Sequence, residues 1–234
     1  MNEITSRTQM IIGEKGIERL KNMHVAVFGL GGVGSFVAEG LARSGVGELT
    51  LVDNDTISYS NINRQLYALH STVGKLKTEV AKDRIKDINP DCKVNIISKF
   101  YLPENAEEFF ISDYDYVADA IDTVTAKIDL ICRCKDKNIP IISCMGTGNK
   151  IQPEMLKTSD IYKTSVCPLC RVMRKELKDR GIKSLKVVYS EEQPKKPTVT
   201  GKSETKRTVP GSISYVPPVA GFIMCAEIIN TDRI

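Results

Sequence analysis

Histidine is scarce in this 234-residue chain. His24 and His70 are its only two. Neither has a spaced partner for a metal centre or a nucleophile–base pair, so neither is assigned a chemical role. No apolar run is long enough to cross a bilayer, which argues against a helical integral membrane protein. The opening residues MNEITSRTQM lack a positive segment followed by an apolar one. No signal peptide is expected, and the cytoplasm is the expected location. The seven cysteines are odd in number and accompany no export signal, so a disulfide framework is not expected. They read mostly as buried thiols. An internal repeat of solenoid period is also missing. Even an excess of one charge is small: 33 Lys and Arg against 29 Asp and Glu leave +4. As a whole-chain figure this argues for no partner.

What is present is ordinary globular usage, 41% hydrophobic and 26% charged residues, in a chain long enough to bury one sizeable core. Strand-like and helix-like stretches alternate over the first 150 residues. Apolar runs mark strands at 24–28, 48–52, 93–98, 116–121 and 140–144. Helical spacing marks 33–43, 73–88, 103–110 and 125–136. Such alternation predicts an α/β fold: a Rossmann-like, doubly wound, mostly parallel sheet with helices on both faces. After residue 150 the pattern loosens into a helix at 168–180, a strand at 184–189 and a closing helix at 219–229. Between the last two lies a basic, Pro- and Thr-rich stretch at about 191–211, expected to be a mobile loop. We therefore expect one domain over 1–234, with a nucleotide-binding core in 1–150 and a decorated C-terminal extension in 151–234.

The chemistry begins at Gly29-Leu30-Gly31-Gly32-Val33-Gly34. Gly29, Gly31 and Gly34 fit G-x-G-x-x-G, and the run follows a strand and opens a helix. Such glycines let backbone approach phosphate at a helix N-terminus. Asp53, at the end of the second strand, is placed to accept hydrogen bonds from ribose hydroxyls. The motif alone does not choose among NAD, FAD, S-adenosylmethionine and ATP. Arg64 and Lys77, which follow the ribose acid, favour a triphosphate that loses pyrophosphate, because charge builds on that leaving group. Taken singly, Lys77 reads better as a solvated surface charge. Asp119 and Asp122 close a buried strand at the edge where open parallel sheets bind ligands. There Asp122 suits Mg2+ on phosphate oxygens, and Asp119 suits a cap or structural role.

Together the glycine run, Asp53-x-Asp55, Ser60-Asn61-x-Asn63-Arg64-Gln65, Val73-Gly74-x-x-Lys77 and Asp122 resemble the ThiF/MoeB superfamily, the ubiquitin-activating-enzyme-like fold. The resemblance spans about residues 5–150. It implies ATP-dependent adenylation of a carboxylate, with release of pyrophosphate, by a homodimer or pseudo-dimer. It also implies a nucleotide set of Gly29, Gly31, Gly32, Gly34, Asp53, Asp55 and Gln65. Asn61, Arg64 and Lys77 would contact phosphates and the attacking carboxylate, and Asp122 would hold Mg2+. Arg7 would reach the neighbouring subunit's ATP. Arg84-Ile85-x-x-Ile88-Asn89-Pro90-x-Cys92, the strand end at 119–122, Val187-Val188-Tyr189-Ser190-Glu191-Glu192 and Pro217-Pro218-Val219-Ala220-Gly221 look more like one branch. That branch activates the carboxylate of threonylcarbamoyladenosine beside a tRNA anticodon and cyclises it with net loss of water. The alternatives are adenylation of a ubiquitin-like sulfur-carrier protein at its C-terminal glycine, and a non-catalytic nucleotide-sensing module.

The cysteines favour the first branch, since sulfur-carrier activators usually bind zinc through two C-x-x-C pairs. Here Cys167 and Cys170 form a single pair. Tetrahedral zinc would need Cys225 or a partner subunit to complete it, so plain thiols are the leading reading. Cys144 is read as buried packing. A monovalent cation requirement and a sulfur-relay partner stay open. The charge, finally, is uneven. Between Arg171 and Arg207 stand 12 basic and 5 acidic residues, +7, against 21 and 24, −3, in the remainder. A basic segment there suits contact with the tRNA backbone through Arg171, Arg174, Lys195, Lys196, Lys202, Lys206 and Arg207.

Overall fold

The computed structural model describes residues 3–196, 198 and 210–231. Seven strands form one sheet in the order β3-β2-β1-β4-β5-β7-β6. They are β1 (His24–Phe28), β2 (Glu48–Val52), β3 (Lys93–Ile97), β4 (Tyr116–Asp119), β5 (Ile141–Cys144), β6 (Leu156–Asp160) and β7 (Lys186–Ser190). All neighbours pair in parallel except β6, which runs antiparallel to β7 at the edge. The sheet is thus the mostly parallel, doubly wound α/β architecture that the alternation predicts. Its order turns back between β1 and β4, and ligands of open α/β sheets bind outside the strand ends at that reversal. Phe28 is level with Val52 on one side and with Asp119 on the other. The residues that follow these three strand ends therefore emerge on one edge.

Helices cover both faces: α1 (Ser6–Asn22), α2 (Gly34–Ser44), α3 (Lys77–Ile88), α4 (Val124–Asp136), α5 (Pro168–Asp179) and α6 (Val216–Ile229). One face buries Val37, Leu41, Ile85 and Met224 against β1 and β2. The other buries Leu130, Ile131, Met173, Leu177 and Phe109 against β4, β5 and β7. Because both faces are covered, β1 is buried along its whole length and reads as an unbroken apolar run. Gly45 ends α2 in the left-handed region at φ 91°, where a glycine carries no Cβ penalty. Residues 103–109 form a 3-10 helix. Among the described residues no helix is long and apolar enough to cross a membrane.

Two elements and two boundaries differ from the sequence reading. α1 and β6 were not foreseen. α3 starts at Lys77 rather than residue 73, because 73–76 turn through Gly74 at φ 87°. β4 stops at Asp119, where the Asp119 carboxylate takes the Ile121 N–H at 3.1 Å and bends the chain out of the sheet.

Candidate nucleotide site

The turn after β1 is shaped by contacts that tolerate no side chain. Gly29 has φ 87°, and a Cβ there would stand 2.6 Å from the Ala120 carbonyl oxygen. A Cβ on Gly34 would stand 1.8 Å from the Gly29 carbonyl oxygen. The turn therefore folds tightly onto itself and onto the segment after β4. It delivers the N-terminus of α2, with its partial positive charge, to the sheet edge.

Asp53 ties this turn to the end of β2. One carboxylate oxygen accepts the Leu30 N–H at 2.7 Å, and the other accepts the Asp55 N–H at 2.8 Å. Burial pushes the Asp53 carboxyl above the usual range, opposed by the Lys77 ammonium and by these two N–H donors. Lys77 is the first residue of α3 and is 4% exposed, not a solvated surface charge. Its ammonium donates to Asp55 Oδ2 at 2.6 Å and lies 3.7 Å from Asp53 Oδ1. A cation is thus held beside Asp53 at the end of β2.

The segment after β2 closes a further side. A Cβ on Gly32 would meet Arg64 Cγ at 3.3 Å and Pro217 Cβ at 3.0 Å, and one on Gly31 would lie 3.8 Å from Gln65 Nε2. Arg64 and Gln65 therefore lie against the glycine turn, with the start of α6 beside them. The Arg64 guanidinium donates to the Ser60 carbonyl and to Asn63 Oδ1 at 2.8 Å. Asn61 caps its own turn by accepting the Ser58 N–H at 3.1 Å. Asp122 is exposed in the loop between β4 and α4, two residues beyond Ala120, whose carbonyl abuts Gly29. A hard carboxylate at that point, beside the glycine turn, fits the oxygen donor set of Mg2+, which uses one or two carboxylates together with phosphates.

Gly29, Gly31, Gly32, Gly34, Asp53, Asp55, Arg64, Gln65 and Lys77 are thus brought together at the reversal point of the sheet. Arg7 is not. It is exposed on α1, just after Thr5, whose side chain packs on Gly45 beyond the far end of α2. The 11 residues of α2 set it about 16 Å from the turn.

Sequence reasoning missed a residue beneath the site. Lys127 of α4 is fully buried and donates to Asp119 Oδ2 at 2.8 Å, Ser143 Oγ at 3.0 Å and the Cys144 carbonyl at 3.0 Å. Asp119 is fully buried with it, the structural role expected. The signal for Lys127 was its position: with Leu130, Ile131 and Cys134 it shares the buried stripe of α4.

Cys167 is the N-cap of α5. Hydrogen bonds from the Cys170 thiol and from the N–H groups of Cys170, Gly146 and Leu169 hold its thiol down to about 6, against the effect of burial. The same bond pushes Cys170 up. Among the described residues no group of three His, Cys, Asp or Glu could hold a metal. Of the basic residues, Arg171, Lys195 and Lys196 are exposed. Arg174 is half-buried and donates to the Thr164 carbonyl at 3.0 Å. Lys202, Lys206 and Arg207 lie outside the described residues.

A family model described as the ThiF family matches residues 5–231. A tRNA threonylcarbamoyladenosine dehydratase of Bacillus subtilis is 45% identical over 96% of this chain and 92% of its own length. The crystal structure of the Escherichia coli tRNA N6-threonylcarbamoyladenosine dehydratase in complex with ATP superposes with a TM-score of 0.89. It is 34% identical and aligns over 97% of this chain and 92% of that one. A molybdopterin-synthase adenylyltransferase of E. coli is 38% identical over 55% of this chain and 51% of its own length.

Proposed function

The chain belongs to the ThiF family, and from that premise we propose that it adenylates the carboxylate of threonylcarbamoyladenosine in tRNA at the expense of ATP. The same enzyme then closes the side chain into a ring, with net loss of water. The carrying observation is the Asp53 carboxylate. It bridges the glycine turn and Asp55 with the buried Lys77 beside it, so ribose acid, phosphate turn and cation share one crevice. The high identity to named dehydratases along nearly the whole chain favours this substrate over a sulfur-carrier protein.

In this reading the ATP phosphates lie over the 29–34 turn, and Asp53 receives the ribose hydroxyls. The substrate carboxylate attacks the α-phosphorus, and the bond to the pyrophosphate oxygen breaks. Arg64, Lys77 and Asn61 stabilise the charge on the departing pyrophosphate. Asp122 would hold Mg2+, which neutralises phosphate charge when bound. A nitrogen of the threonylcarbamoyl group then attacks the acyl-adenylate carbon and AMP leaves. Ring closure is intramolecular, and enforced proximity can supply about 7–11 kcal/mol of the barrier. No protein nucleophile is needed. Arg7 serves the ATP of a second copy in a homodimer, packed through the α1 face where Met10 and Ile11 are 77% and 82% exposed. The whole chain acts as one ATP-binding domain in the cytoplasm, with its basic C-terminal segment on the tRNA. Arg64→Ala and Lys77→Ala are each expected to abolish ATP–pyrophosphate exchange in the presence of modified tRNA while circular dichroism stays native. Full exchange in either variant refutes the assignment. Mass spectrometry of tRNA nucleosides incubated with the protein and ATP should reveal a species lighter by one water. Exchange driven only by a Gly-Gly-ended carrier protein would move the activity to the sulfur-carrier class.

A further inference from the structure

Lys127 makes three polar contacts, and all three acceptors sit at carboxyl ends of central strands: Asp119 ends β4, and Ser143 and Cys144 end β5. Ser143 Oγ also donates to Asp119 Oδ2, at 2.5 Å. The free oxygen of Asp119 takes the Ile121 N–H, and the Ala120 N–H is held by the Phe28 carbonyl at 2.8 Å. The main chain of Lys127 closes the other side, its N–H donating to the Thr123 carbonyl at 3.0 Å. Segment 119–127 is therefore clamped at both ends by one residue, and its exposed apex carries Asp122.

A fully buried ion pair is not an economical way to add stability. Removing two charges from water costs about as much as their attraction returns, and apolar replacements of similar volume are often neutral or better. An ion pair that anchors the backbone leading to Asp122 has a different use. Resting on the reading of Asp122 given above, we infer that Lys127 is a positioning residue that sets the Asp122 carboxylate beside the glycine turn for the metal–nucleotide complex. Its influence on the reaction runs entirely through Asp122.

The test is a double-mutant cycle between Lys127→Met and Asp122→Asn. A second variant, Lys127→Met/Asp119→Leu, removes both buried charges and so leaves no orphan carboxylate. Affinity for a non-hydrolysable ATP analogue is measured by calorimetry as a function of Mg2+. Amide exchange at Ile121 and exchange activity are followed beside it. Positioning groups one shell out from a metal typically change affinity or activity 10–100-fold. Each Lys127 variant should therefore need roughly tenfold more Mg2+ for half-maximal binding, lose protection at Ile121, and bind the metal-free analogue as the wild type does. Added to Asp122→Asn, Lys127→Met should bring no further loss of Mg2+ response. Wild-type Mg2+ dependence in Lys127→Met/Asp119→Leu, or additive losses in the cycle, would overturn the inference and leave Asp122 in its role. An unchanged Mg2+ response in Asp122→Asn alone would instead overturn the reading of Asp122 on which it rests.

Discussion

Lys77 shows how one side chain serves both fold and chemistry. It is 4% exposed and neutralises a carboxylate that burial disfavours in its charged form. Asp53 has a folded-state value above its unfolded one. Any stability it contributes is therefore present at low pH and is lost as pH rises through the folded value. Lys77 opposes that loss, so Lys77→Ala should lift Asp53 further. The variant is expected to be destabilised by roughly 1–3 kcal/mol at pH 7, because a buried carboxylate then keeps its two N–H donors but loses its counter-charge, and by clearly less at pH 4. Urea denaturation at the two pH values checks this, and equal losses at both would detach Lys77 from Asp53. Asp55 does not substitute for Asp53 in this respect. Its side chain is 57% exposed, so water solvates it when the ammonium is gone.

Helix α5 makes a comparable case for an element. Its N-terminus gathers N–H groups onto Cys167, and the accompanying partial charge favours the thiolate. The folded pair gives up its first proton near 6, against an ordinary thiol value of 9.0. Between these values the folded state binds fewer protons than the unfolded one, so the contribution grows with pH and is absent below about 6. Above 9.0 it declines again, because Cys170 holds its proton in the folded state. The gap in denaturation midpoint between wild type and Cys167→Ala should therefore widen from pH 6 to pH 8, and a constant gap would contradict the thiolate. This environment is invisible in Cys-Pro-Leu-Cys as letters, since it depends on Gly146 arriving from another loop. Elements were legible where one face is buried and periodic, as in α2 and α4, or where both faces are, as in β1. They were not legible in α1, where Gly13 at φ 73° breaks the period and the apolar Met10 and Ile11 face outward. Nor were they in β6, a half-exposed edge strand of mixed composition. The glycine turn and Asp53 could be read because their chemistry is local. Lys127 could not, because a lysine is read as solvent-facing until the acid beneath it is known.

At the scale of the whole molecule the net charge of +4 averages two unlike regions. Exposed Arg171, Lys175 and Lys178 follow one another at i, i+4 and i+7 along α5 and make one basic stripe, whereas Arg174 is turned inward onto Thr164. The stripe and the exposed Lys195 and Lys196 belong to the C-terminal third, while the nucleotide crevice is built from the first half of the chain and the start of α6. The two surfaces should therefore be separable by mutation. Each lysine or arginine on a phosphate releases a counterion and adds about one unit to the salt slope of binding. Replacing Arg171, Lys175 and Lys178 by alanine together should weaken tRNA binding roughly tenfold or more near physiological salt and flatten the log–log salt slope by up to about 3 units. Affinity for ATP should stay at the wild-type value. Filter binding across a salt series, with calorimetry for the nucleotide, measures both. A flattened slope at constant ATP affinity places the tRNA backbone on α5. An unchanged slope would remove this stripe from the contact and leave Lys195, Lys196 and the basic residues beyond them as the surface that carries it.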